Sequence, residues 1–319
     1  AAGAGAVAAY VVEDEYGPLA AALESVAAVL RAAGEQAVVV LDDNRLADRA
    51  VAYRAGLGWF GRNTMLLHPD LGSWTVLGSV VTTAALPADA APVPDGCGSC
   101  RRCVPACPTG ALGTDASGAA VLDADLCLAW QLQADGVFAR GLRVALGDRL
   151  YGCDDCQVVC PCNDEPSPAA GSAGPAADAS SGAPHDWAAR RGDNPLSVRG
   201  RTAIDVAEML LASDDALTAA FGHWYIPRRR PEYLRRNALV VLGNTADAAA
   251  ASTRKALRTC LRDASPIVRS HAVWAAHRLG LGGLVAEVPA GLLLADDPDG
   301  MVALELRDPP AAAPPRPRT

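Results

Sequence analysis

No uninterrupted apolar run in this 319-residue sequence approaches the roughly eighteen residues that cross a bilayer as a helix. The stretch Ala1 to Ala9 has no basic flank of the signal-peptide kind. Both absences argue for a cytoplasmic protein with no membrane partner. The first residue is not Met, and Ala1-Ala-Gly-Ala-Gly5 is featureless, as expected of a fragment or a processed chain. Excess positive charge is also missing. A net charge of −8 argues against nucleic acid unless a local basic patch dominates where phosphates approach. A disulfide scaffold belongs to small secreted domains short of core, whereas this chain is long and 50% hydrophobic, enough for several modules.

What the sequence does hold is patterned cysteine. Cys97-Gly-Ser-Cys100-Arg-Arg-Cys103-Val-Pro-Ala-Cys107-Pro108 has the spacing in which three close thiolates wrap one 4Fe-4S cubane and the fourth reaches a second. A partial echo, Cys153-Asp-Asp-Cys156-Gln-Val-Val-Cys160-Pro161, lacks only its first cysteine, and Cys127 supplies it. Two ligand sets follow: Cys97, Cys100, Cys103 and Cys160 for one cluster, Cys107, Cys127, Cys153 and Cys156 for the other. A structural zinc site also uses paired cysteines, but it leaves the two Cys-Pro ends unexplained. Cys162 and Cys260 carry no pattern and are expected to pack.

The rest of the chain is read by periodicity. Pro18 to Ala33 places Leu19, Leu23, Val26, Val29 and Leu30 on one helical face. Ala37 to Leu41 is a β-branched run expected as a buried, parallel-type strand, ending at Asp42. Leu46 to Ala55 is expected to be helical and to stop at Gly56. Gly56-Leu-Gly-Trp-Phe-Gly61 matches a dinucleotide fingerprint only as a string, because the helix precedes it. Its glycines are expected to admit a flat ligand instead. Thr64 to His68 and Trp74 to Thr83 are expected to pair as a hairpin. Asp164 to Pro184, rich in Pro, Ala, Gly and Ser, is expected as a flexible linker.

Beyond that linker, helices are expected over Ala203 to Leu211, Asp215 to Phe221, Tyr233 to Leu242 and Pro266 to Leu279. The segment Asp263 to Leu279 has the pattern of a HEAT-type repeat, a helix pair that buries its face only against neighbours. Basic residues concentrate here: Arg228, Arg229, Arg230, Arg235 and Arg236, then Arg254, Lys255, Arg258, Arg262 and Arg269. Trp224, Tyr225 and Tyr233 beside the first run favour RNA, where stacking supplements phosphate contacts. The fold class expected is α+β: an α/β domain over 1–86, a ferredoxin-like double-cluster module over 87–163, a linker over 164–186, an all-α HEAT-like domain over 187–285 and a disordered Pro-rich tail over 286–319.

Several stretches together closely resemble the epoxyqueuosine reductase family. They are Leu41-Asp42, Asp48-Arg49, Ala55 to Gly61, Asn63, Gly72-Ser73, Leu77-Gly78, the eight cysteines, Tyr151 to Gln157, Leu234 to Ala238 and Leu242-Gly-Asn244. The resemblance implies a cobalamin-dependent enzyme that reduces epoxyqueuosine to queuosine at the wobble position of a tRNA with a GUN anticodon. Electrons would pass from an external flavodoxin- or ferredoxin-type donor through two 4Fe-4S clusters to cobalamin. It implies Asp42 as proton donor, which requires a raised pKa, as burial against the corrin would give; capping the next helix is the alternative role. Asp42, Leu66, Gly78, Asp154 and Asp155 would line the cobalamin, and Arg228, Arg229, Arg230, Arg235 and Arg236 would hold the tRNA. The sequence departs from the family in a missing amino-terminal portion, in Ala9 to Gly17, which keeps Tyr16 but loses a basic stretch, and in Cys162, where Trp is usual. Two other readings share features: a reductive dehalogenase-like corrinoid protein, and a non-catalytic ferredoxin-type electron-transfer module.

Overall fold

The computed structural model describes residues 3–88, 92–164 and 203–313. The linker expected over Asp164 to Pro184 lies, after its first residue, outside them. Strands run β1 Ala4–Val7, β2 Ala37–Leu41, β3 Trp59–Phe60, β4 Leu66–Leu67 and β5 Gly78–Thr82. They continue as β6 Leu112–Thr114, β7 Ala120–Leu122, β8 Arg149–Tyr151 and β9 Ala203–Asp205. Helices are α1 Tyr16–Ala32, α2 Asp48–Arg54, α3 Cys103–Ala106, α4 Leu128–Gln133, α5 Arg143–Leu146 and α6 Asp155–Val158. After them come α7 Val206–Leu211, α8 Asp214–Phe221, α9 Glu232–Thr245 and α10 Ala251–Cys260. The last are α11 Pro266–Arg278, α12 Gly283–Ala286, α13 Ala290–Leu293 and α14 Met301–Arg307. The architecture is α+β.

The chain forms two compact units, neither continuous in sequence. One takes the described parts of Ala1–Val12, Ala124–Cys153 and Arg191–Thr319. Its sheet has the order β8-β1-β9, with β8 parallel and β9 antiparallel to the central β1. The featureless start is therefore a central strand. A methyl group at Gly5 would lie 2.8 Å from Leu150 Cβ, so its smallness is what lets neighbours close over the strand. Ala203 to Asp205, expected as helix, is an edge strand instead. The Asp205 carboxylate then accepts from the N–H groups of Ala207 and Glu208 at 2.9 and 3.0 Å, capping α7.

Helix α9 lies at the centre of this unit, with Leu239, Val240, Val241 and Leu242 fully buried, and packs against α7 and α11. The sequence from 286 to 307, expected as disordered tail, folds. The Asp297 carboxylate accepts from Met301, Val302 and Ala303 N–H groups at the start of α14, and Val302 is fully buried. Buried Glu305 on α14 pairs with buried Arg143 on α5 at 2.7 Å.

The other unit takes the described parts of Glu13–Asp123 and Asp154–Arg190. Here α1 packs over a ribbon in which β2 pairs antiparallel with β5, from Ala37 opposite Thr82 to Leu41 opposite Gly78. The expected parallel strand is thus antiparallel. The expected hairpin is also re-paired: β4 bonds to β3, not to β5. A one-turn stop ends α2 as expected, with Gly56 at φ 71° and the Gly56 and Leu57 N–H groups bonded back to Tyr53 and Ala52.

Candidate metal centre

The β3–β4 hairpin grips the cysteine loops. The Arg62 guanidinium donates to the carbonyls of Cys100 at 3.0 Å and Gly98 at 2.7 Å, and Asn63 Nδ2 donates to the carbonyl of Cys156 at 3.4 Å. Just beyond the hairpin, Ser73 N–H donates to Asn163 Oδ1 at 2.7 Å, and Asn163 Nδ2 donates to Ser73 Oγ at 2.9 Å. A side chain at Gly72 would strike Asn163 Oδ1 at 2.0 Å, which explains why glycine stands there. Stretches far apart in sequence are thereby fixed to both ends of the cysteine pattern.

All ten cysteines are free thiols. The first ligand set comes together: burial pushes the Cys103 thiol up, and Cys160, Cys97 and Cys100 add like-charge repulsion at close range. Among the described residues no three Cys, His, Asp or Glu side chains converge on a single ion. Cys162 lies against the same group, hydrogen-bonded to Cys160, and burial with these neighbours pushes it up to about 11.

The second set is divided between the units. Cys107 and Cys156 belong to one, Cys127 and Cys153 to the other. Burial acts to raise the Cys107 thiol, but hydrogen bonds from Thr109, Ala111 and Leu112 outweigh it and bring the thiol below its ordinary value. The Ala111 N–H donates to its Sγ at 3.3 Å. Donors already aimed at a sulfur are what a cluster thiolate requires. Cys260 is fully buried in the other unit, its thiol pushed up to about 12 by burial.

Asp42 sits where β2 ends, with φ 47° in the left-handed region. Its side chain is exposed. Asp42 and Asp48 both act electrostatically on Tyr16, whose phenol is raised first by burial and then by these carboxylates. Asp48 is itself raised, by burial and then by Asp42 and Asp43. Asp43 is engaged by Arg45, whose hydrogen bonds lower it to about 2.

The glycine readings need correction. A side chain at Gly58 would strike the Leu67 carbonyl oxygen at 2.1 Å, and one at Gly61 would meet Asn63 Oδ1 at 2.6 Å. The close approach is made by the chain's own β4, not by a flat ligand. At Gly78 a side chain would meet Leu23 Cδ1 at 2.5 Å, so helix α1 packs closely on this strand end. Leu66 is buried in β4. Asp154 precedes α6 and accepts from Gln157 Nε2 at 3.1 Å; Asp155 opens α6.

The arginine run is largely spoken for. Arg236, expected on RNA, is fully buried and donates to the carbonyls of Ala134, Gly136, Gln131 and Leu132, with burial lowering its guanidinium to about 10. Arg235 pairs with Asp214, Arg230 with Glu232 and Arg228 with Asp135. Arg229 donates to the Gly222 carbonyl at 2.7 Å. Arg228 and Arg229 both adopt left-handed backbone, at φ 53° and 56°. Basic charge with fewer partners lies on α10 and just after it. There Arg254, Lys255, Arg258 and Arg262 line an open groove of about 490 Å³.

Known proteins match this arrangement. The 4Fe-4S double cluster binding domain family covers residues 96–163. An epoxyqueuosine reductase of Listeria monocytogenes is 34% identical over 268 residues, 84% of this chain and 62% of that protein. The Bacillus subtilis enzyme is 30% identical over 271 residues, again 62% of its length. The chain therefore spans about three fifths of these curated relatives. A structure of the B. subtilis enzyme, solved with its catalytic aspartate loop swung out of the active site, superposes with TM-score 0.72 and 26% identity, over 95% of this chain and 74% of that one. An epoxyqueuosine reductase crystallised with an epoxyqueuosine-modified tRNA-Tyr stem loop gives TM-score 0.71 at 25% identity, over 94% of this chain and 75% of that one. Over most of its length, cysteine loops and gripping hairpin included, the chain is similar to the epoxyqueuosine reductases.

Proposed function

We propose that this chain reduces epoxyqueuosine to queuosine at the wobble position of a GUN-anticodon tRNA. The observation that carries the reading is the grip of residues 62–73 on the carbonyls and side chains of the cysteine loops; a cluster held by those loops would lie beside the β3–β4 hairpin. Two 4Fe-4S clusters would be held by Cys97, Cys100, Cys103 and Cys160 and by Cys107, Cys127, Cys153 and Cys156. Cobalamin, when bound, would supply the reducing chemistry at the epoxide carbon. The net change is two electrons and two protons taken up, with the epoxide oxygen leaving as water and an alkene left behind.

The fit to a corrin rests on exposed apolar Leu57 and Phe60 beside the gripping hairpin, and on the exposed carboxyl of Asp42, with Asp155 and Leu66 as further contacts. Asp42 would hand a proton to the departing oxygen. Its left-handed turn is the kind of strain that persists where a surrounding structure holds a group for use. Electrons would come from a flavodoxin- or ferredoxin-type donor.

RNA phosphates would meet the α10 face together with Arg228, Arg229 and Arg230. Arg235 and Arg236 drop out of that surface because the Arg235 side chain is only 12% exposed, against 69% for Arg228 and 55% for Arg230, and Arg236 is fully buried. Lys255, the chain's one lysine, is exposed, and only Arg258 of the four groove cations has a carboxylate partner among the described residues, Glu287 at 2.9 Å.

The test is anaerobic reconstitution with iron, sulfide and cobalamin, followed by metal analysis and turnover of epoxyqueuosine-tRNA. Bound cobalt with turnover supports the reading; iron without cobalt reduces the chain to an electron-transfer module. Asp42→Ala is expected to keep iron and cobalt while turnover falls by at least about a hundredfold, the lower end of what a positioned proton donor contributes. Unchanged turnover removes Asp42 from the mechanism.

A further inference from the structure

Trp59 carries a polar atom that neither the fold nor the proposed reaction accounts for. Its side chain is only 7% exposed, and its indole Nε1 is buried with no hydrogen-bond partner. Buried N–H donors of tryptophan almost always find an acceptor, because leaving one unpaired forfeits its hydration for nothing. Trp59 packs in a small cluster with Leu67 and Cys160, against which Cys97, Cys162 and Val93 also lie. The ring lies against Gly96, the residue before Cys97: a methyl group there would sit over the six-membered ring of the indole, 2.7 Å from Cζ2, 2.9 Å from Cη2 and 3.1 Å from Cε2 of Trp59. The unpaired N–H is thus buried against the start of the cysteine loop, in a cluster that includes Cys97 and Cys160 of the first set.

We infer that Trp59 Nε1–H donates a hydrogen bond to a sulfur of the cluster held by Cys97, Cys100, Cys103 and Cys160, and so sets that cluster's reduction potential. The chemistry is direct. Cluster sulfurs are acceptors, and reduction adds negative charge to them, so a donor stabilises the reduced state more than the oxidised one and raises the potential. The packing also accounts for glycine at position 96, since any side chain there would collide with the indole ring. Trp59 acts through the cluster and touches no substrate; it is a tuning residue. The inference rests on that cluster being bound by these four cysteines.

The experiment uses the reconstituted full chain with Trp59→Phe, which keeps an aromatic ring and removes the donor. Redox titration followed by electron paramagnetic resonance is expected to show one cluster shifted to a more negative midpoint while iron content is unchanged. Trp74→Phe, an exposed tryptophan of the same unit, is expected to leave both midpoints in place. A second readout avoids dependence on the variant's packing: in wild-type protein labelled with 15N-indole tryptophan, pulsed resonance of the reduced cluster is expected to show a nitrogen coupling and an exchangeable proton coupling. Equal midpoints in Trp59→Phe, or no 15N coupling in the wild type, overturns the inference while leaving the cluster assignment intact. A chain that binds no iron overturns both.

Discussion

At the scale of single residues, the groups that most shape this protein are polar ones placed where sequence patterns expect none. His271 is fully buried; its Nδ1 donates to the Ile267 carbonyl at 2.7 Å and its Nε2 accepts from the Phe138 N–H at 3.2 Å. An imidazole that must accept at Nε2 cannot take a proton there without losing the bond. Burial, with Arg143 and Arg236 nearby, accordingly holds His271 well below its ordinary value. The sign follows. Above pH of about 6.5 the group is neutral in both states and contributes no pH dependence. Below it the unfolded imidazole takes up a proton that the native one refuses, so stability is lost as pH falls, at up to about 1.4 kcal/mol per pH unit from this group. Denaturant titrations from pH 7 to pH 5 are expected to show this slope in the wild type and a shallower one in His271→Gln. Equal slopes would assign the acid sensitivity elsewhere. Neither His271 nor Arg236 was legible as a core residue, because both look like surface or ligand groups until the carbonyls around them are known. The cysteines were legible because ligation fixes spacing in sequence as well as in space.

At the scale of elements, the longer helices were readable nearly to their ends: α1, α9 and α11 begin and stop within three residues of expectation, and β2 matches its β-branched run. What failed were choices of partner. Strand β1 is Ala-Gly-Ala-Val, too short and too small to show alternation, and its place is set by β8 and β9 far along the chain. The same holds for β5, whose partner lies across α2 and the hairpin. Helix α14 was hidden in a tail whose composition looked unable to bury anything, yet Glu305 anchors it to Arg143. Removing one member of a buried pair strands the other, at a cost of about 3–5 kcal/mol, whereas replacing both with apolar residues is close to neutral. Glu305→Ala is therefore expected to lower the thermal midpoint sharply, and Arg143→Met with Glu305→Leu to recover most of it.

The groove on α10 makes its own prediction. Charge reversal of Lys255 and Arg262, both exposed and both lining it, is expected to weaken binding of an anticodon stem-loop RNA. The log–log salt slope is expected to fall by roughly 0.7–0.9 for each phosphate that is no longer neutralised. The Arg235→Gln change, at a cation already held by Asp214, is expected to leave that slope alone. Fluorescence anisotropy across a salt series separates the two. Equal effects would return the RNA surface to the Arg228 to Arg236 run.

At the scale of the whole molecule, the proposed ligand sets predict that the two clusters are separable. Cys97, Cys100, Cys103 and Cys160 all belong to one unit, where the hairpin and Asn163 brace their loops without help from the other set. Cys127 and Cys153 belong to the other unit. Ligation is worth enough to drive folding of small metal-bound modules, so a set deprived of two of its four ligands should not retain its cluster, while a complete and braced set should. The double variant Cys127→Ser with Cys153→Ser is expected, after anaerobic reconstitution, to bind about half the iron of the wild type and to keep the resonance signal of the first cluster, including any coupling to Trp59. Loss of all iron would mean that the first cluster depends on the second, and the ligand division read from the cysteine spacing would have to be redrawn. Retention of all the iron would exclude Cys127 and Cys153 as ligands.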